Sequence, residues 1–459
     1  MADGMPELRR KAYNRLLEWK RVSNGSTALL IYGARRVGKS FLAEQFGRNE
    51  YRSYILIDFA QDDPEFKTLF EKDIYDLDLF FNKLSSMKGV PLYRRESLII
   101  LDEIQMFPLA RQRIKTLVND GRFDYIETGS LLTIRMTTDS ILIPSEERKF
   151  DLEPLDFEEF LWAMDDETSM QYLQKCLDDK TPVGDVVHKR MMNRLREYML
   201  VGGMPAAVSA YAGSKDFERV DDVKRSILDL YRSDVPKFAK GHEQRVIAIF
   251  DQIPSQLSRK EKKFKLSSIE KNVRSRRYSE AFLWLYDAKI VNLCYNSTDP
   301  SYGLNMSQDS SKVKCYMADT GLLVTHALFD EGFADNGLYH ALLTDRLGIN
   351  EGMFMKNYVA QALKASNHKL FFYSRNRTGD DHESIEIDFL IKHGKDILPI
   401  EVKSSRSSRH ASLDRFREKF GKRVGQPIVL CPQDLAEKDG VLYVPLYMTG
   451  LLRSQLSKT

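Results

Sequence analysis

The sequence predicts an α/β chain. It opens with a parallel sheet covered by helices on both faces and continues through a helical region into a second α/β domain. Three observations carry this expectation. A glycine-rich loop follows directly on a short apolar run, a second apolar run ends in paired acids, and strand-like and helix-like segments alternate through the first third of the chain.

The loop is Gly33-Ala34-Arg35-Arg36-Val37-Gly38-Lys39-Ser40, and it follows Ala28-Leu29-Leu30-Ile31-Tyr32. This is G-x-x-x-x-G-K-[ST] between a strand and a helix that begins near Phe41. Glycines let the backbone curl so that successive N–H groups face phosphate oxygens, and the helix adds its positive end. Lys39 is expected to reach the outer phosphates and the Ser40 hydroxyl to ligate Mg²⁺. Gly33 to Phe41 is therefore the expected nucleotide-binding stretch.

The second run is Ser97-Leu98-Ile99-Ile100-Leu101-Asp102-Glu103. Continuous apolar character suits a strand buried on both faces of a parallel sheet. Such sheets bind ligands at the C-terminal ends of their strands, where Asp102 falls. Asp102 is expected to hold Mg²⁺ through water, and Glu103 to act as the base that polarises the attacking water.

The remaining elements follow in order. Residues 7–21 read as an amphipathic helix and Ser26 to Tyr32 as the first strand. Tyr54 to Phe59 is a second strand and Leu69 to Leu84 a helix. Leu109 to Val118 is helical, and Tyr125-Ile126-Glu127-Thr128-Gly129-Ser130 is a fourth strand. Thr128 and Ser130 either hydrogen-bond a γ-phosphate or form a polar turn. Arg135 and Arg148, both beyond this strand, are candidates for an arginine acting on the γ-phosphate.

Pro154 to Trp162 closes the first domain. Tyr172 to Phe238 is mostly helical and suits a lid, with Gly202-Gly203 as its hinge or tight turn. Beyond it, helices around 245–257, 267–271 and 279–287 precede strand-like Ile290 to Leu293, the order of a winged helix. Residues 259–277 hold nine Lys/Arg against two Glu, a stripe able to meet DNA phosphates or to lie as a solvated face. Lys314 to Leu323 reads as strand, turn and helix. The expected domains are 1–165, 166–243, 244–335 and 336–459.

A second constellation lies near the C-terminus. Ile385 to Ile391 and Ile397 to Lys403 suggest a hairpin. Asp388, Glu401 and Lys403 then make a D…E-x-K set, able to hold a divalent metal or to persist as a salt-bridge cluster.

Composition bounds the rest. The chain has 459 residues, 42% hydrophobic and 29% charged, with 69 basic and 66 acidic side chains and a net charge of +3. That balance by itself implies no polyanion partner. The four cysteines are widely spaced, against a disulfide framework or structural zinc and in keeping with a reducing cytosol. No apolar stretch approaches the roughly 18 to 20 residues that span a bilayer, and Met1 to Lys20 shows no signal-like apolar core. A cytoplasmic location without a membrane partner is expected.

The phrases GARRVGKS, LIILDEIQ, ETGS, PLDFEEFL, VGGMP, YMADTGLL and EIDFLI…PIEVK together resemble AAA-family ATP-binding proteins of bacteria and archaea that carry a C-terminal domain of unknown function. The resemblance covers nearly the whole length. It implies a P-loop ATPase core, a helical and winged-helix middle, and a C-terminal α/β domain like that of restriction endonucleases. By it Gly38, Lys39 and Ser40 bind phosphate and Mg²⁺, Asp102 supports the metal and Glu103 is the base. Relatives usually carry a glutamate on the helix opening the nuclease-like domain, and here Lys356 stands in its place. The expected activity is Mg²⁺-dependent ATP hydrolysis coupled to DNA or a protein partner. The alternatives are a nucleotide-gated switch with little turnover or an ATP-regulated nuclease.

Overall fold

The computed structural model describes residues 7–129, 145–259, 263–266, 269, 276–328, 336–343, 351–375, 384–405 and 410–452. Ser130, Arg135 and most of the 259–277 stripe lie outside these residues. Two compact units divide the chain. One comprises Arg9–Glu153 with Asp287–Lys289, and the other comprises Met1–Leu8, Pro154–Tyr286 and Ile290–Thr459. Residues 154–165 thus fall outside the unit expected to contain them.

The first unit is a five-stranded, all-parallel sheet of order β2-β3-β4-β1-β5. Its strands are β1 (Ala28–Gly33), β2 (Ser53–Asp58), β3 (Ser97–Asp102), β4 (Asp124–Gly129) and β5 (Glu147–Leu152). All six residues of β3 and of β4 are buried. Alternation along β3 shows why the run is apolar throughout. Ile99 and Leu101 join a core with Phe59, Phe70, Phe80 and Ile114, whereas Leu98 and Ile100 join one with Leu16, Trp19, Leu42 and Phe46. Each face of the sheet therefore has its own helical cover. On one side lie α1 (Lys11–Ser23) and α2 (Lys39–Glu50), and on the other α3 (Glu65–Lys72), α4 (Leu77–Lys88) and α5 (Pro108–Asp120).

Two details differ from expectation. The single helix read over 69–84 is two helices, because Asp76 leaves helical geometry and caps α4 by accepting from the Leu79 N–H. The sequence reading also missed β5. Its residues ERKFDL are charged because it is an edge strand, paired among the described residues with β1 alone and with Arg148 and Lys149 exposed.

The second unit combines helices with an eight-stranded mixed sheet. The helices are α6 (Phe157–Ala163), α7 (Ser169–Asp179), α8 (Asp185–Val201), α9 (Pro205–Ser214), α10 (Phe217–Phe238), α11 (Glu243–Ser258) and α12 (Arg276–Asp287). They are followed by β6 (Val291–Ser297), β7 (Gln308–Met317), α13 (Thr320–Ala327), α14 (Asn336–Leu343), α15 (Glu351–Ala365), β8 (Phe371–Arg375), β9 (Ile385–His393) and β10 (Asp396–Val402). The chain then forms α16 (Ala411–Phe420), β11 (Ile428–Cys431), β12 (Ala436–Lys438) and β13 (Val441–Pro445). Sheet order is β12-β13-β11-β10-β9-β8-β6-β7. The strand expected at Ile290 to Leu293 to complete a winged helix is β6, and it belongs to this sheet, pairing with β7 and, in parallel, with β8. A boundary at 335/336 would divide the sheet. The expected hairpin is present, as β9 and β10 are antiparallel with Phe389 opposite Ile400.

Three phrases from the sequence meet at one buried junction in this unit. Asp319 accepts the Gly203 N–H at 2.6 Å through Oδ2 and the Leu322 N–H at 2.9 Å through Oδ1, capping α13. The Leu155 N–H donates to the Gly203 carbonyl at 2.7 Å, and the Tyr198 hydroxyl donates to the Leu155 carbonyl at 2.6 Å. Gly202 has φ +84°, and a Cβ on it would sit 2.2 Å from Asp319 Oδ1. Gly202-Gly203 is thus a tight turn fixed by close approach. All four cysteines are free and buried.

Candidate functional site

The loop after β1 is shaped by two left-handed residues, Arg36 at φ 66° and Gly38 at φ 93°, with Gly38 directly preceding α2. Left-handed residues in a short loop ahead of a helix are the kind of backbone that can turn N–H groups toward an anion. Gly33 must be glycine for a different reason. A Cβ there would lie 2.4 Å from the Leu152 carbonyl oxygen. Arg10 ties the loop to the end of β5, donating to the carbonyls of Val37 at 3.2 Å and Glu153 at 2.7 Å.

Lys39 is buried at 7% exposure. Its ammonium donates only to loop carbonyls, Gly33 at 3.3 Å and Ala34 at 3.0 Å. Among the described residues no carboxylate lies within ion-pair distance. Burial lowers its pKa to about 8, against the attraction of Glu103 and Asp102. A buried cation without a bonded anion, at the N-terminus of α2, fits a phosphate.

Asp102, buried at the end of β3, gathers the other expected residues. Ser40 Oγ donates to its Oδ1 at 2.7 Å, and the Thr128 hydroxyl donates to the same oxygen. Two hydroxyls and a carboxylate at the loop are the hard oxygen donors Mg²⁺ takes alongside phosphates and water. Glu103 follows with φ 51°, a left-handed geometry that turns its side chain away from the strand direction. It is half-buried, and the Gln105 amide donates to its Oε2. Phe41 is 51% exposed on α2.

Arg148 does not reach this site along its strand. It is exposed and pairs with Leu29, four residues before the Gly33–Leu152 pair at the loop end.

Three residues were missed. Asp58 ends β2 opposite Asp102. Burial raises its pKa, and the Asp102 and Asp62 charges add to the rise. Its signal was the same as for β3, an apolar run closing in an acid. Glu127 is fully buried beside Glu147, whose carboxylate takes two bonds from Arg111 at 2.7 and 2.8 Å. Burial first and the Glu147 charge second push its pKa well above the ordinary carboxylate value. Lys289 is buried, binds Asp151 and lies 3.8 Å from Glu153, with its ammonium 5.3 Å from the Tyr32 ring centre. No local signal announces it.

The C-terminal set is also assembled, with a different content. Asp388 on β9 is 5% exposed and accepts the Val402 N–H at 3.0 Å. Lys356 of α15 donates to its Oδ1 at 2.6 Å, and Lys314 Nζ stands 4.0 Å from it. Lys403 is paired with Glu401. Burial raises the Glu401 pKa. Among the described residues no group of three or more His, Cys, Asp or Glu is arranged to hold a metal, and here the ammonium of Lys356 takes the bond a dication would need. These residues do not fit a divalent metal.

Comparison with known proteins gives family matches over three stretches of the chain. Residues 25–161 match the family described as AAA domain. Residues 192–332 and 351–448 match two families described as domains of unknown function, DUF8612 and DUF4143. No curated protein matches the chain. Solved structures with some likeness include the Orc1 protein of Aeropyrum pernix in complex with DNA, at 12% identity over 75% of this chain and 95% of that one, with a TM-score of 0.24. A STAND-class signal transduction ATPase with a tetratricopeptide repeat sensor, from Pyrococcus horikoshii, is 12% identical over 79% and 68%, with a TM-score of 0.22. A Vibrio cholerae protein is 10% identical over 94% and 97%, with a TM-score of 0.19. Superpositions this poor leave the assignment to strand order, loop and family match. These define the amino-terminal unit as a P-loop ATP-binding domain of AAA type. Among the described residues no helix is long and apolar enough to cross a membrane.

Proposed function

We propose that this chain is a Mg²⁺-dependent ATPase that couples hydrolysis to a DNA partner. The observation that supports it most is Lys39, a buried ammonium bonded only to loop carbonyls next to Ser40, Asp102 and Thr128. Backbone N–H groups of residues 34–40 would cradle the phosphates, and Lys39 would exchange its carbonyl partners for phosphate oxygens. Ser40 would hold Mg²⁺ directly and Asp102 through water, and the ion would supply charge neutralisation on the phosphate oxygens.

Glu103 would take a proton from a water attacking the γ-phosphorus in line, as the bond to the bridging oxygen of ADP breaks. Gln105 occupies one carboxylate oxygen and leaves the other for that water. Thr128 would position the Asp102 carboxylate. Ser130 is proposed to contact the γ-phosphate.

The basic composition of 259–277 supports the DNA partner. A nuclease reading of Asp388, Glu401 and Lys403 finds no support, because Lys356 and Lys314 neutralise the aspartate. The test is calorimetric titration of ATP with Mg²⁺, followed by phosphate release with and without duplex DNA. Retained nucleotide and DNA-stimulated release are expected. Failure to bind ATP or ADP would end this reading.

A further inference from the structure

The lysines that displace a metal from Asp388 also line a cavity. Its volume is about 40 Å³, and its walls include Lys263, Lys314, Lys356, Glu386, Gln256 and Tyr316. Three lysines and one glutamate are among the lining residues, and counting Asp388 and the neighbouring Glu401–Lys403 ion pair the balance is four positive to three negative. Lys356 spends one N–H on Asp388 and Lys314 pairs with Glu386 at 3.2 Å, so each keeps further donors. Burial works against the Lys356 charge, but the carboxylates of Asp388, Glu386 and Glu401 outweigh it and raise its pKa. Lys356 therefore stays cationic at neutral pH. Lys263 is exposed at the cavity and belongs to the stretch with nine basic residues against two acidic ones.

We infer that this cavity binds a phosphodiester of the DNA backbone directly through Lys263, Lys314 and Lys356, without metal and without cleavage. A surplus of one positive charge matches the single charge of a phosphodiester. A divalent ion would instead meet two ammonium groups within about 4 Å of the shared carboxylate and be repelled. Such a phosphodiester site deepens the DNA-partner reading above and does not depend on ATP hydrolysis.

The test is fluorescence anisotropy of a labelled duplex with the full-length protein in EDTA, without nucleotide, over a range of salt. Wild type is expected to bind. Lys263→Ala, at an exposed position, should weaken binding about three- to fivefold and lower the slope of log affinity against log salt by about 0.9. Lys356→Ala should weaken it about five- to tenfold, and Lys356→Arg should restore it to within about twofold. Lys39→Ala should bind DNA normally in this assay, which separates failure of the phosphate site from failure of the ATPase. The inference is overturned if Lys263→Ala and Lys356→Ala bind like wild type, or if binding requires Mg²⁺ or Mn²⁺. It is equally overturned if an acidic peptide binds while duplex does not, or if wild type nicks plasmid with either metal and Asp388→Asn does not.

Discussion

The two constellations singled out in the sequence each combine buried acids and lysines, yet their charge is settled in opposite ways. At the loop, Lys39 is buried with carbonyls for company and no bonded carboxylate. At the second sheet, Asp388 is buried with one lysine bonded and another 4.0 Å away. The first site has a charge that a ligand must complete. At the second the buried aspartate is already paired within the protein, and the charge left over is positive. Whether a buried ionic cluster requires a small ligand follows from its unpaired charge more than from its residue types.

The strongest test of this contrast is turnover. Glu103→Gln should retain ATP and lose about 10²–10⁴-fold in kcat, read as phosphate release at saturating ATP. Wild-type turnover would remove the base assignment. Lys39→Ala should next lose nucleotide affinity by about 10²-fold or more in calorimetry, because it takes away a buried ammonium bonded only to loop carbonyls. If affinity holds, the carbonyl-bonded lysine is structural.

A third test uses pH. Lys39 titrates near 8 in the fold against an ordinary 10.5. Bound phosphate needs the ammonium, so nucleotide affinity should fall about tenfold between pH 7 and 9. Linkage to folding has the opposite sign. The unfolded chain holds this proton more tightly, so the lysine's contribution to stability increases from about pH 8 to 10.5. Affinity that is flat across this range would show the proton is not needed. The smallest effect belongs to the second site. Lys356→Met should cost about 1 kcal/mol in denaturant unfolding, since Lys314 remains beside Asp388 and Lys356 is partly solvated.

Much of the candidate site's geometry was legible because its residues are close in sequence. Gly33 to Ser40 need only one strand, one turn and one helix, and the β3 acids need only a strand end. Their meeting at the Asp102 carboxylate followed from parallel order. What escaped depends on partners set by tertiary pairing. The charges of β5 hid a strand because its outer edge faces water. The β6 strand looked like part of a wing because nothing local reveals that β8 will bond to it. Lys356 could be seen to break a pattern, but not to reach Asp388 at 2.6 Å. Asp58 was missed although its strand ends in the same way as β3.

The short return of the chain at Asp287–Lys289 has a consequence for how the ATP-binding part can be handled. Lys289 supplies the ammonium that neutralises Asp151 beside the end of β5. A fragment ending anywhere between residues 165 and 286 leaves that seat vacant. The nucleotide fold is therefore not a transplantable cassette, and grafting it onto another sequence would require a substitute cation at the same spot.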